Sequence, residues 1–204
     1  MSIKLNGSGL TLFRGDKCLF KNLSFALNRG ELLLLEGRNG SGKTSLLRAI
    51  AGLIELESGS VTWNDTPVND ERQVFQNALV WMSHKVGFKG DLTLIDNLLF
   101  ESRLRLQSAL DFDDVLQRLN LNKLKRLPFR SLSAGQQRRV ALARMLLSAA
   151  PLWMMDEPAS NLDTEGRALV MALLNEHVGR GGMAIVAAHQ DIELDVPTHK
   201  VQLQ

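Results

Sequence analysis

Four consecutive leucines, Leu32 to Leu35, run into Gly37-Arg38-Asn39-Gly40-Ser41-Gly42-Lys43-Thr44, and this junction constrains the chain more than any other stretch. The apolar run reads as a strand buried on both faces. The segment after it has the spacing G-x-x-x-x-G-K-T of a phosphate-binding loop. Ser45-Leu46-Leu47-Arg48-Ala49-Ile50-Ala51 then supplies good helix formers with apolar residues at helical spacing. Gly37, Gly40 and Gly42 let the backbone take torsions closed to other residues and approach a ligand closely. Successive amides then point inward as a concave anion site, and the new helix adds its partial positive end. Lys43 is placed to reach the β- and γ-phosphates of a nucleotide, and the Thr44 hydroxyl to ligate Mg²⁺.

On either side of this unit the pattern alternates strands with helices. Residues 3–12 and 19–27 read as two strands around a turn at Arg14-Gly15-Asp16-Lys17. A planar group there, Phe13 or Arg14, could stack on an adenine ring or be an ordinary turn residue. Val61-Thr62-Trp63 reads as a short strand, Asn64-Asp65-Thr66-Pro67 as a turn and Ala78–Met82 as an apolar strand. Between residues 84 and 150 strand signals vanish. Thr93, with Asp96 three residues on, reads as the cap of a helix, and Leu110–Leu119 as a second. Residues of about 84–132 are therefore expected to form a small helical insertion between core segments 1–83 and 133–204 of a single domain. Ser133 opens a further helix that ends near Pro151. Leu152–Met155 and Met183–Ala188 are buried strands, separated by a helix over 163–178. Strands alternating with helices predict a parallel sheet whose ligand site lies at the C-terminal strand ends.

Four such ends carry chemistry: the loop 37–44, His84, Asp156-Glu157 and His189. A carboxylate ending an apolar run is hard to explain as structure alone, and near Mg²⁺ Asp156 becomes a ligand. Glu157 is expected to point at the γ-phosphate and to orient or deprotonate a water. His189 could hydrogen-bond the same phosphate. His177 and His199 have no such company and are expected on the surface, and Cys18 is expected as a small buried hydrophobe.

Further residues bring in a resemblance. Leu132-Ser133-Ala134-Gly135-Gln136 looks like the signature of ATP-binding cassette ATPases, and Ser160-Asn161-Leu162-Asp163 is similar to their loop after the catalytic glutamate. The resemblance spans nearly the whole chain. It implies an α/β fold: a P-loop NTPase core with a mixed or parallel sheet, an N-terminal antiparallel β subdomain and a small helical insertion. It also implies ATP and Mg²⁺ as ligands. His84 stands where the family usually has a glutamine that senses Mg²⁺; a neutral imidazole can still bind a metal or a water. Arg14 falls where the family often has an adenine-stacking tyrosine. Ala134 replaces the first glycine of the usual signature pair. In this family Ser133, Ala134, Gly135 and Gln136 open a helix whose amides and hydroxyl face a nucleotide on a second subunit. The implied assembly is a head-to-tail dimer of two copies closing on two ATP molecules.

Trp81-Met82-Ser83-His84, the run Leu132–Arg144, Leu152–Pro158 and Gly181-Gly182 leading to His189-Gln190 resemble the ATPase subunits of cytochrome c maturation haem exporters. That implies a separate transmembrane permease subunit, further haem-handling membrane proteins and a haem chaperone on the far side of the membrane. It places this chain peripherally on the cytoplasmic face of a bacterial inner membrane. The driven step, haem export or release of the loaded chaperone, stays open. So do two alternatives: the ATPase of a lipid or lipoprotein exporter, and a non-transport nucleotide switch. A net charge of +2 over 204 residues argues against nucleic acid as a partner. One cysteine excludes an internal disulfide. No stretch is apolar for long enough to span a bilayer, and the N-terminal residues do not read as a signal peptide, so the chain is expected to stay in the cytosol.

Overall fold

The computed structural model describes residues 3–104, 108–189 and 194–203. In chain order the elements are β1 (Lys4–Arg14), β2 (Lys17–Asn28), β3 (Leu32–Glu36), α1 (Lys43–Ile50), β4 (Ser58–Trp63), β5 (Thr66–Pro67), α2 (Arg72–Ala78) and β6 (Leu79–Met82). There follow α3 (Leu94–Arg103), α4 (Phe112–Arg118), α5 (Ala134–Leu147), β7 (Leu152–Asp156), α6 (Thr164–Gly179), β8 (Met183–Ala188) and β9 (Thr198–Gln202). They build an antiparallel sheet in the order β2-β1-β4-β5 and a parallel sheet in the order β6-β7-β8-β3-β9.

The leucine run sits at the heart of the parallel sheet, between β8 and β9. Leu32 and Leu34 join the core on one face, Leu33 and Leu35 the core on the other, and all four are fully buried. Every strand side chain meets apolar neighbours, which is why the run does not alternate. The first face packs Val80, Trp153, Met155 and Val186 against α5 and α6, and carries on into Leu94, Leu98, Val115 and Leu116 of the helical segment. The second face packs Leu152, Met154 and Ile185 against Leu46, Leu47 and Ile50 of α1 and against Leu5, Leu27 and Trp63 of the antiparallel sheet. The phosphate-loop helix is thus held between two sheets.

Local chemistry places the helix starts. The Thr93 hydroxyl accepts from Asp96 N–H at 3.1 Å, as its sequence position predicts. Asp111 caps α4 and Asp163 caps α6. Ser133 and Gln136 form a reciprocal capping box on α5: Gln136 N–H donates to the Ser133 hydroxyl at 3.2 Å, and Ser133 N–H to Gln136 Oε1 at 2.9 Å. Between residues 84 and 150, helices and short 3₁₀ turns are the regular elements among the described residues.

Several expectations need correction. Thr66-Pro67 is not part of a turn but a two-residue strand paired with β4. Two elements escaped the pattern altogether. In α2 only Phe75 is buried, and β9 is a half-exposed edge strand with the polar run Thr-His-Lys-Val-Gln. Cys18 is exposed rather than buried, because β2 turns it outward opposite Phe13. His177 is not a surface residue. Its ring lies 4.0 Å from that of Trp153, nearly parallel, and its Nε2 sits 3.2 Å from both Pro151 O and Met183 O. Two carbonyl acceptors require that Nε2 carry the proton. Burial pulls this imidazole's pKa down to about 4, the two carbonyl contacts opposing it. His199 is exposed, as expected, with Nε2 3.3 Å from Glu31 Oε2.

Candidate active site

At the C-terminal edge of the parallel sheet a cleft of about 470 Å³ opens, lined by Arg14, Asn39, Gly40, Gly42, Lys43, Thr44, His84, Asp156, Glu157, Ser160 and His189 among others. Each of the four strand ends singled out from the sequence contributes to it. β3 delivers the glycine loop, β6 runs out two residues before His84, β7 ends at Asp156, and β8 ends one residue before His189.

The loop follows the torsions its glycines permit. Gly42 caps α1 with φ 101°, and Gly37 lies at φ 151° with no room for a side chain: a Cβ would stand 2.5 Å from Leu203 O and 2.6 Å from Ser41 Oγ. The Lys43 ammonium, almost fully buried, folds back over the loop and donates to Gly37 O at 2.6 Å and Arg38 O at 3.1 Å. It stands 3.9 Å from Glu157 Oε1. The lysine of the glycine turn and the paired acids therefore share one cavity.

Thr44 Oγ1 donates to Asp156 Oδ2 at 2.8 Å, with Asp156 only 2% exposed. A hydroxyl and a carboxylate at this separation are a hard-oxygen pair suited to Mg²⁺. Beside that pair the Lys43 ammonium and the glycine loop border the same cleft and supply donors suited to an anion. The buried Ser41 hydroxyl, unpartnered among the described residues, is not in the cleft lining. The donor set thus fits both a magnesium ion and a phosphate group.

Glu157 takes a left-handed backbone, φ 52°, which costs a residue with a Cβ roughly 1 kcal/mol. Its N–H donates to Ala187 O at 2.9 Å. Its Oε2 accepts from His189 Nδ1 at 2.7 Å. The twist turns the Glu157 carboxylate toward Lys43 and His189, while Asp156, one residue earlier, points at Thr44.

Arg14 lines the cleft; Phe13 is exposed and does not. Of those two residues, the arginine is the one that borders the cleft. His84 is exposed at the cleft wall. Ser133, Ala134, Gly135 and Gln136 lie outside this cleft, at the start of α5. Because the Ser133 hydroxyl only accepts in its capping role, its own proton remains available to a ligand approaching from outside the chain.

Arg138 is the residue that sequence reasoning missed. Only 4% exposed, its guanidinium donates to Pro158 O at 3.1 Å, Ser83 O at 3.2 Å and Asp156 O at 2.8 Å, and also bonds Glu157 O. Burial lowers its pKa, and Asp156 and Glu157 oppose that shift. An arginine at an inward position of a helix, five residues into the signature run, was the available signal. One turn and a half further on, Arg144 donates to Trp81 O at 2.7 Å and Val86 O at 3.3 Å.

Residues 20–160 match the family model described as ABC transporter. The cytochrome c biogenesis ATP-binding export protein CcmA of Yersinia pseudotuberculosis is 43% identical over 189 residues, 92% of this chain and 87% of that protein. The protein of the same name from Vibrio cholerae is 41% identical over 195 residues, 95% of this chain and 94% of its own. Among solved structures, one from Pyrococcus furiosus assigned to the ATP-binding proteins of ABC transporters superposes with a TM-score of 0.83 at 22% identity, covering 97% of this chain and 96% of that one. An ATP-binding subunit of an ABC transporter gives 0.82 at 22% identity, covering 91% and 79%. These two establish the fold.

Proposed function

The chain belongs to the ABC transporter family of ATP-hydrolysing proteins, and within it to the cytochrome c biogenesis ATP-binding export proteins, and from that membership we propose that it powers a haem-handling transporter from the cytoplasmic face of a membrane. The observation that carries the ATPase part is the meeting of Lys43, Thr44, Asp156, Glu157 and His189 in one cleft at the strand ends.

In this reading the amides of 37–44 and the Lys43 ammonium hold the β- and γ-phosphates of ATP. Thr44 and Asp156 would hold Mg²⁺, with His84 as a further candidate, and the ion would offset the charge of the phosphate oxygens. Lys43 gives up its two carbonyl acceptors for phosphate oxygens, which a charged donor prefers. Glu157 accepts the proton of the attacking water. His189 donates Nδ1–H to that carboxylate, so its Nε2 can donate to the γ-phosphate only when the ring is doubly protonated. Arg14, more than Phe13, serves as the adenine platform. Ser133, Ala134, Gly135 and Gln136 are left to serve the nucleotide of a second copy, with Ser133 donating while it caps α5. Two copies would close head to tail on two ATP molecules, with residues of about 84–132 acting as a helical subdomain on the core.

No helix among the described residues is long and apolar enough to cross a membrane. In this reading a separate permease subunit supplies the path. Exposed Leu99, Phe100 and Leu104, on or next to α3, are apolar side chains that such a partner would cover. The cytochrome c role rests on the relatives' names; haem export and release of a haem-loaded chaperone are both compatible with it.

One preparation tests both halves. A tagged Glu157→Gln chain, taken from detergent-solubilised membranes, should bind ATP, form an ATP-dependent dimer and retain a membrane protein with several spans. Its turnover should fall by about 10²–10⁴-fold. Undiminished turnover removes Glu157 from its role. Recovery of the chain without a membrane subunit removes the transporter.

A further inference from the structure

We propose that Arg138 is a positioning residue for ATP hydrolysis, whose buried guanidinium holds the Asp156 and Glu157 carbonyls and thereby sets where the Glu157 carboxylate stands over the phosphate loop. The inference rests on the reading of Glu157 as the group that takes the proton from water.

Geometry argues for it in three steps. First, the backbone at Glu157 is left-handed, so something must hold it there. Ala187 O accepts its N–H from the β8 side, and Arg138 binds its carbonyl from the α5 side. The residue is gripped from both directions, which fixes the direction in which its Cα–Cβ bond leaves the backbone. Second, the same guanidinium reaches Ser83 O, the peptide that leads into His84. One group thus ties two of the four strand ends lining the cleft, those of β6 and β7. Third, Arg138 projects from α5, the helix opened by Ser133. Any shift of that helix when a second copy contacts its N-terminus is transmitted by hydrogen bonds to the carboxylate of this chain's own cleft. An apolar side chain would fill the same space with a smaller desolvation cost. What it would not do is satisfy four carbonyls on two segments at once.

The test is a double-mutant cycle in the full-length chain. Arg138→Lys keeps the charge but loses the planar fork, and should lower kcat for ATP about 10²-fold, as expected when a reacting group moves by about 1 Å. KM for ATP should stay close to that of the parent chain, since Lys43 and the loop amides are untouched. Adding Arg138→Lys to Glu157→Gln should leave the residual rate where Glu157→Gln alone put it, because both changes act through one carboxylate. Arg138→Gln, with two N–H donors and no charge, repeats the cycle should the lysine variant misfold. Several results overturn the inference. Parental kcat in Arg138→Lys beside an inactive Glu157→Gln removes Arg138 and spares Glu157. Losses that multiply in the double variant place Arg138 on another route. A fall in ATP binding and in melting temperature that tracks the fall in kcat, or failure of both variants to fold, makes the clamp structural only. Full turnover in Glu157→Gln removes the reading beneath it.

Discussion

The two ends of the parallel sheet are built from the same strands and solve opposite problems. At the C-terminal end, backbone and side chains are left in states that want a ligand. Glu157 is twisted to φ 52°, and Lys43 is buried against carbonyls of its own loop. At the N-terminal end of β7 and β8 the imidazole of His177 finds its partners within the chain, while the buried Trp153 Nε1 has none among the described residues. His177 stacks on Trp153, and its Nε2–H is shared between Pro151 O and Met183 O, the residues that precede and open those strands. A histidine ends each arrangement, yet His189 faces a cleft and a carboxylate while His177, at the wall of a second cavity, faces the Trp153 ring and two carbonyls. The difference teaches that residue type does not decide role here; the direction in which the sheet's dipoles and loops leave it does.

The largest expected effect breaks the ligand-seeking end. Lys43→Ala removes the buried ammonium that stands 3.9 Å from Glu157 and lines the same cleft. ATP turnover should fall by about 10²–10³-fold, the usual cost of deleting a donor aimed at developing negative charge. Melting temperature should rise or stay level, because the desolvation of a buried ammonium is offset only in part by two loop carbonyls and a carboxylate at 3.9 Å. Steady-state hydrolysis beside a thermal melt checks it. A variant that hydrolyses ATP normally but melts early would make Lys43 a structural residue and erase the contrast.

That contrast was only half legible in the sequence. The C-terminal end announced itself, since a glycine loop needs its torsions and each apolar strand ended in a polar residue. Leu32–Leu35, Leu152–Met155 and Met183–Ala188 could be placed because strands buried on both faces are apolar throughout. The edge strand β9, with one apolar residue in five, had nothing to show, and α2 buries only Phe75. Cys18 and His177 were misjudged for a shared reason: exposure of one residue in a strand or helix depends on what lies across from it. Trp153 and Gly182 make the bed of His177, and neither is within helical or strand spacing of it. Arg138 lay hidden in the same way. Its four acceptors come from residues 83 and 156–158, and no local pattern links them to a position in α5.

A second test acts on the N-terminal end. A Cβ on Gly182 would lie 2.4 Å from ring atoms of His177. Gly182→Ala should therefore push the imidazole off Trp153 and off its carbonyls, with an overpacking cost of about 1–3 kcal/mol. For a chain of this size that corresponds to roughly 2–4 °C in Tm per kcal/mol. Turnover per folded molecule should be unchanged, since the site lies at the other end of the strands. Loss of kcat without loss of stability would show that the two ends are coupled.

The smallest effect is a pH dependence. Burial holds the His177 pKa at about 4 against an ordinary 6.5. Between those values the unfolded chain takes up a proton that the folded protein refuses. The group's contribution is complete above about pH 6.5 and drains as pH falls toward 4, by at most ~1.4 kcal/mol per pH unit, before levelling off. Half-burial of the ring, with some access of water, keeps the real slope below that ceiling. His177→Gln keeps an N–H donor for the carbonyls but does not titrate. It should be less stable by about 1 kcal/mol at pH 7.5, where it lacks the stack on Trp153. Its stability should then fall less steeply than that of the parent as the medium is acidified, so that the two denaturation curves converge. Curves that stay parallel from pH 7.5 to 4.5 would mean that the imidazole is protonated without penalty, and that its packing against Trp153 does not disfavour the charged ring.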